Sequence, residues 1–139
     1  MQGILTATTM NSIPRRPLLA ANWKMHLGRV NQAISMVRRI RHPLSHVQGI
    51  DVVLCSPFTV LAQLAEVLAP SPIELGAQNM HWEDAGAHTG EISGSMLAGI
   101  CRYVILGHSE RRAAGGSTED DAAINAKVLA AIAHGLIPL

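Results

Sequence analysis

The sequence predicts an α/β fold with a parallel sheet, and three observations support this prediction. Short apolar runs alternate with longer amphipathic segments along the 139 residues of the chain. Proline or glycine separates most of these segments, which keeps the predicted connections short. The run at residues 52–54 (VVL) is apolar throughout, as expected for a strand whose two faces are both covered. Strands and helices that alternate in this way are typical of parallel sheets with crossover helices.

The first half of the chain predicts two strands and two helices. Residues 18–21 form the first strand, and an apolar helical face follows that we expect Pro43 to end. This face consists of Val30, Ala33, Ile34, Val37 and Ile40. After the strand at 52–54, Ser56 is expected to cap the second helix, with Pro57 at its first position.

The second half of the chain continues the alternation. Further strands are predicted at residues 73–77, 103–106 and 136–139. A short helix is expected at 95–101 and a longer one at 117–134, with start signals at Ser117 and Asp120 and an end signal at Gly135. Residues 78–93 form a long polar loop between the third strand and the short helix, and a loop of this length is usually functional.

Composition argues against several classes of partner. Eleven Lys and Arg against ten Asp and Glu give a formal charge of +1, so no nucleic-acid partner is expected. No apolar run approaches the ~20 residues of a membrane span, so no membrane partner is expected either. The two cysteines show no paired spacing, which favours a reducing, cytoplasmic location.

Residues 1–16 are interpreted as an N-terminal extension that is disordered. The segment lacks both the basic start and the continuous apolar stretch of a secretory signal. Because the segment contains two arginines and no acidic residue, a weak organellar-targeting interpretation stays open. Another interpretation is that Met1 is an upstream start codon ahead of Met10.

Asn22 and Lys24 follow the first strand directly and are the first candidate site residues. In an extended backbone they would point to the same face, because alternate side chains share a face. An amide beside an ammonium group favours an anion-binding site. The alternative is a lysine that extends past a rim, with the asparagine in a turn.

His108 follows Gly107 at the carboxyl end of the fourth strand, where parallel α/β folds place their ligand sites. Ser109 and Glu110 resemble the start of a short helix, whose dipole would keep the imidazole neutral. Glu110, Arg111 and Arg112 are expected either to orient Lys24 or to bridge loops, or else to form surface ion pairs.

No metal and no cofactor are expected. His42 and His46 are four residues apart, but we expect Pro43 to break the helix that would align them, while His81 and His88 lie on a loop without nearby thiolates. Neither of the two common glycine-rich phosphate-binding patterns occurs.

Four segments together resemble the triose-phosphate isomerase family, in the family's order and at its spacing. They are residues 21–25 (ANWKM), 76–79 (GAQN), 87–93 (AHTGEIS) and 103–112 (YVILGHSERR). The resemblance covers residues 17–139 and implies a (β/α)₈ TIM barrel. Only about the first four βα units and the start of the fifth strand would be present, so residues 17–139 are expected to form an incomplete barrel domain.

The resemblance also implies an activity, the interconversion of dihydroxyacetone phosphate and glyceraldehyde 3-phosphate in glycolysis and gluconeogenesis. His108 would be the electrophile, Asn22 and Lys24 would bind the phosphorylated triose, and Ser109 and Glu110 would support the site. The loop with Thr89 near its tip resembles the family's dimerisation loop, which implies a homodimer.

One departure from the family pattern limits the expected activity. The family's catalytic glutamate, its lid and its later phosphate loops belong to units beyond the fifth strand, and no glutamate of this chain matches the base. We therefore expect the chain alone to be inactive. The alternative is a non-catalytic half-barrel scaffold or anion-binding protein that self-associates.

Overall fold

The structure is a computed structural model that describes residues 15–113 and 119–139. Its five strands are parallel and lie side by side in chain order, from β1 to β5. The strands are β1 Leu18–Asn22, β2 Asp51–Ser56, β3 Glu74–Ala77, β4 Tyr103–Val104 and β5 Ile137–Pro138. The first 14 residues of the expected extension and the expected helix start at Ser117 lie outside the described residues.

Helices connect the strands and cover one face of the sheet. They are α1 Val30–Ser45, α2 Leu61–Leu68, α3 Gly94–Leu97, α4 Ser109–Ala113 and α5 Asp121–Ala133, with a short 3₁₀ turn at Phe58–Val60 before α2. Each parallel pair of strands is joined by a crossover segment, so the predicted α/β order is confirmed. Sequential strand order is also what a barrel requires, because each unit is added beside the previous one.

The main core lies between the sheet and the helices. α1 contributes the buried Ala33 and Val37, and α2 contributes Leu61, Leu64 and Leu68 at helical spacing. A second, smaller cluster lies on the opposite face of the sheet and consists of Val53, Cys55 and Tyr103, with Ile105 packed against it. Alternate residues of β2 therefore point into two different apolar layers, which explains why the strand is apolar throughout.

Close packing across the sheet depends on Gly76 in β3. A Cβ atom at this position would lie 2.7 Å from the Sγ atom of Cys55 and 3.3 Å from a methyl carbon of Val53. The glycine thus lets strands β2 and β4 bring their side chains together over β3.

The two outer strands leave open edges among the described residues. β1 pairs with β2 alone and β5 pairs with β4 alone. In β1, Leu18 and Leu19 are 38% and 49% exposed, although leucines of a covered parallel strand would be buried. The sheet is therefore a partial one, with apolar side chains exposed along its first strand.

The expectation that Pro43 ends the first helix is wrong. α1 continues to Ser45 and contains Pro43 in its last turn. Proline at this point removes one backbone donor only, and the chain leaves the helix within three residues, where the amide of His46 donates to the carbonyl of Pro43 at 3.4 Å. A consequence is that the ring of His42, in the last turn, lies 4.5 Å from the ring of His46, the residue that follows the helix, contrary to the sequence-based expectation.

The expected cap at Ser56 is also wrong. Ser56 is the last residue of β2, paired in register with Ala77, and its buried hydroxyl has no hydrogen-bond partner among the described residues. The helical segment begins instead with the 3₁₀ turn, where the amide of Val60 donates to the carbonyl of Pro57 at 3.2 Å. Strand pairing therefore prevails over the local capping preference of serine.

The later elements agree with the sequence more closely. Asp120 caps α5 by accepting a hydrogen bond from the amide of Ala123 at 2.8 Å, and Gly135 follows the helix with a φ of 72°. The predicted helix at 95–101 is shorter than expected, because α3 ends at Leu97. Its cap is Ser93, which accepts from the amide of Met96 at 3.4 Å. Residues 78–93 form a loop, as predicted.

Candidate active site at the carboxyl ends of the strands

Lys24 lies in the turn after β1 with a left-handed backbone, at a φ of 51°. Asn22 is the last residue of the strand, and its Oδ1 atom accepts a hydrogen bond from the amide of Lys24 at 2.9 Å. This turn, and not an extended backbone, brings the two side chains to one cavity. Asn22 and Lys24 therefore line the same cavity, as expected. The alternating side chains of an extended strand do not explain this, because the strand ends at Asn22.

Gln78, the first residue after β3, holds this turn in place. Its Nε2 atom donates to the carbonyl of Lys24 at 2.9 Å and to the carbonyl of Cys55 at 3.0 Å. One side chain thereby joins the ends of three neighbouring strands. A left-handed backbone is costly for a lysine, so it persists only where the surroundings fix it.

His108 lies in the segment between β4 and α4, after Gly107, whose φ is 64°. The Nδ1 atom of His108 is 3.2 Å from the backbone nitrogen of Glu110, in the first turn of α4. Because a backbone N–H can only donate, Nδ1 accepts and the ring proton of a neutral His108 is on Nε2. In the neutral tautomer this arrangement leaves the Nε2–H of His108 free to donate to a ligand.

Glu110 connects His108 to Lys24. Its Oε1 atom accepts from the Nζ atom of Lys24 at 2.6 Å, and its Oε2 atom lies 3.6 Å from Nδ1 of His108. The hydrogen bond from Lys24, together with the positive charge of that side chain, lowers the pKa of Glu110. Glu110 is therefore a carboxylate that orients Lys24.

These residues line one open cavity of about 230 Å³. Its other walls come from the ends of β2 and β3 and from the start of α4. The lining residues are Asn22, Lys24, Met25, Phe58, Gln78, Asn79, His108, Glu110 and Arg111. The two remaining predicted residues do not line this cavity in the described part of the chain: Ser109 begins α4, and Thr89 is exposed on the 78–93 loop.

Behind the cavity lies a buried charged cluster that the sequence analysis did not predict. The Nζ atom of Lys127, in α5, donates to Oε1 of Glu119 at 2.5 Å and to Oδ1 of Asn79 at 2.9 Å. Arg111 also pairs with Glu119. Burial by itself would raise the pKa of Glu119, but the hydrogen bonds from Lys127 and Arg111 lower it below its usual value. Asn79 and Arg111 thus connect this cluster to the cavity wall.

The two arginines of the 103–112 segment have different environments. Arg111 pairs with the buried Glu119, so it bridges α4 and the segment before α5. Arg112 pairs with the exposed Asp121 at 2.7 Å and donates to the carbonyl of Gly107 at 3.0 Å. Of the two alternatives left open by the sequence, loop bridging describes Arg111, and a surface ion pair describes Arg112.

Comparison with known proteins identifies the family. The family model for triosephosphate isomerase matches residues 17–139. The chain belongs to the triosephosphate isomerase family. The triosephosphate isomerase of Herpetosiphon aurantiacus is 52% identical over 126 residues, and that of Chloroflexus aurantiacus is 49% identical over 126 residues. Each alignment covers 90% of this chain and 49% of the relative.

A solved structure agrees with the fold. The crystal structure of triosephosphate isomerase from Bartonella henselae superimposes with a TM-score of 0.81 at 38% identity, over 89% of this chain and 50% of that chain. The five described strands therefore correspond to part of a TIM barrel, as predicted. The chain spans about half the length of the triosephosphate isomerases that it matches.

Two further observations concern possible partners and metals. None of the described helices has the length and apolar character needed to cross a membrane. In residues 15–113 and 119–139, no three His, Cys, Asp or Glu side chains are grouped closely enough to enclose a metal ion.

Proposed function

We propose that this chain carries the substrate-binding and carbonyl-polarising half of a triosephosphate isomerase site. The reaction is the interconversion of dihydroxyacetone phosphate and glyceraldehyde 3-phosphate, in glycolysis and gluconeogenesis. The observation that supports this most directly is the convergence of Asn22, Lys24 and His108 on one cavity at the carboxyl ends of the strands.

Lys24 supplies the positive charge that the substrate requires. Its ammonium group is held by Glu110 at 2.6 Å and remains 52% exposed, so it can also contact an anion in the cavity. A phosphate group and the negative charge that develops on an enediolate are both stabilised by such a cation. Asn22 adds an amide beside it and also fixes the backbone of Lys24.

His108 polarises the substrate carbonyl. Because Nδ1 of His108 accepts from the N–H of Glu110, the ring donates to the carbonyl oxygen of the substrate through its Nε2–H. Membership of the family implies that a neutral histidine has this role. Donation strengthens as the carbonyl oxygen gains negative charge, which lowers the barrier to enediolate formation.

The proton transfer itself needs a base that comes from elsewhere. Glu110 is the glutamate of the described cavity, and its carboxylate is engaged by Lys24. A base must reach the substrate proton directly or through one water. We therefore infer that the base comes from the part of the triosephosphate isomerase fold that this chain does not span. We also infer that the chain alone has no isomerase activity.

The quaternary arrangement belongs to the same proposal. A homodimer would use the exposed part of the 78–93 loop, residues 82–91, with Thr89 reaching toward the site of the neighbouring copy. Residues 17–139 would form the barrel portion, and the location would be cytoplasmic. A phosphorylated triose is the proposed small-molecule partner.

The residue roles can be tested in a fusion protein. The chain would be joined to the part of the Herpetosiphon aurantiacus relative that lies beyond the matched region, and isomerase turnover would be measured. We expect His108→Gln to lower kcat by about 100-fold or more and Lys24→Met to weaken binding of the phosphorylated substrate. His42→Gln, at an exposed position of α1, is the matched control. Unchanged kcat in the His108→Gln fusion would contradict the proposal.

A further inference from the structure

We propose that His42, in the last turn of α1, and His46, the residue that follows this helix, form a surface site for a divalent transition-metal ion such as Cu²⁺ or Zn²⁺. The two residues are four positions apart at the end of a helix that continues through Pro43 to Ser45. Their ring centroids lie 4.5 Å apart, with the ring planes inclined by 47°. Side chains at this spacing lie one above the other on the same helix face, so both rings can reach one ion.

A hydrogen bond already orients one of the two rings for metal binding. The Nδ1 atom of His46 lies 2.7 Å from the backbone carbonyl oxygen of His42. A carbonyl can only accept, so Nδ1 carries the proton and the lone pair of the neutral ring is on Nε2. Histidines that bind metals usually donate their other ring N–H to a backbone carbonyl or a carboxylate in this way.

The position in the helix also favours a cation. The pair lies at the carboxyl end of a 16-residue helix, where the backbone dipoles create a partial negative charge. Arg38 and Arg39, one turn earlier, oppose this effect, although solvent screens charges on exposed side chains. Arg41 points away toward α2, because its Nη1 atom donates to the carbonyl of Val67 at 3.0 Å.

The donor set determines which ions fit. Imidazole nitrogens suit Cu²⁺, Ni²⁺ and Zn²⁺, whereas Mg²⁺ and Ca²⁺ prefer oxygen ligands. Within the described residues no third protein ligand is grouped with the pair, so water would complete the coordination. Both histidines are exposed, which leaves these positions accessible.

A bound ion would have a structural consequence for α1. Pro43 lacks the N–H that would otherwise bond to the carbonyl of Arg39, so the last turn is one hydrogen bond short. An ion held by His42 and His46 spans this turn. Because it binds the folded helix better than the unfolded chain, it stabilises the fold by an amount that increases with the logarithm of its concentration once that concentration exceeds Kd.

The test is titration of the full 139-residue chain with Cu²⁺ and Zn²⁺ by calorimetry, together with Tm at increasing metal concentration. We expect one site per chain, a rising Tm, and no such response to Mg²⁺. His42→Ala and His46→Ala should each abolish the response, and both positions are exposed, so circular dichroism should show an unchanged fold.

His88→Ala is the matched control, because the rings of His81 and His88 lie 4.2 Å apart and form the rival histidine pair. This variant should bind metal as the unaltered chain does. Retained binding in the His42→Ala and His46→Ala variants, or binding lost in His88→Ala alone, would overturn the proposal, as would the absence of any response in the unaltered chain.

Discussion

The side chain of Gln78 donates a hydrogen bond to the backbone carbonyl of Lys24 at 2.9 Å, beneath the left-handed turn that presents the lysine to the cavity. The same Nε2 atom bonds to the carbonyl of Cys55 at 3.0 Å, so the turn is fixed to the neighbouring strand as well. The position of the Lys24 ammonium group therefore depends on a residue that itself carries no charge.

Replacing Gln78 should weaken substrate binding and catalysis through Lys24. In the fusion protein, we expect Gln78→Leu to lower kcat/KM by about 10- to 100-fold, since a small displacement of a catalytic group has an effect of that size. Gln63→Leu, at an exposed position of α2, is the matched control. Equal kcat/KM values for the two variants would contradict a positioning role for Gln78.

Lys127 should contribute strongly to stability although it is a charged residue. It is 3% exposed and pairs with Glu119 and Asn79, so its removal leaves buried polar groups with fewer partners. We expect Lys127→Met to lower the free energy of unfolding by about 3 kcal/mol. Arg102→Met, which breaks the exposed pair with Glu74, should cost about 0.5 kcal/mol. Urea unfolding of both variants measures the difference, and similar losses would show that the buried cluster has no special role.

The stability of the chain should fall in acid because of Glu119. Burial alone would raise the pKa of this carboxyl, but the hydrogen bonds from Lys127 and Arg111 lower it below the ordinary value of 4.5. A lowered pKa in the folded state means that the contribution is fully present above about pH 4.5. It is lost as the pH falls through the folded pKa.

Urea unfolding between about pH 7 and about pH 3 would measure this contribution. The unaltered chain and Glu119→Gln should differ most at neutral pH and converge in acid, because protonation removes the carboxylate that the variant lacks. A difference in stability that does not change with pH would contradict this account of the cluster.

Both cysteines should be unreactive in the folded chain. Burial raises the pKa of Cys55 to about 11, and burial together with the charge of Cys55 raises that of Cys101 to about 12. Since the thiolate is the reactive form, a disulfide reagent at about pH 8 should modify neither thiol before unfolding and both in urea. Rapid modification of either thiol without denaturant would indicate that the folded chain opens readily.

The order of the elements was predictable because hydrophobic spacing reports which face of each segment is buried. The run at residues 52–54 and the apolar face of α1 at Ala33, Ile34, Val37 and Ile40 are buried or packed on the core for this reason, whereas the predicted member Val30 is 40% exposed. The errors arose where a local rule competed with the sheet or the helix around it. Ser56 would cap a helix in isolation, but pairing with Ala77 keeps it in β2. Pro43 is tolerated because it lies in the last turn of α1.

The candidate site was predictable in its residues more than in its geometry. Asn22, Lys24, His108 and Glu110 are all predicted from the sequence and line one cavity, since each lies at or shortly after the carboxyl end of a strand. The left-handed backbone of Lys24 leaves no signal in its own sequence. The buried Lys127 could not be predicted, because nothing local distinguishes it from an exposed helical lysine until α5 packs over Asn79.

We propose that this chain holds the binding and polarising part of an isomerase site but not its base. The most direct measurement is isomerase turnover of the purified chain, alone and after addition of the complementary half of the Herpetosiphon aurantiacus relative. We predict no turnover above background for the chain alone and measurable turnover with both halves, abolished by His108→Gln. Substantial turnover by the chain alone would contradict the account.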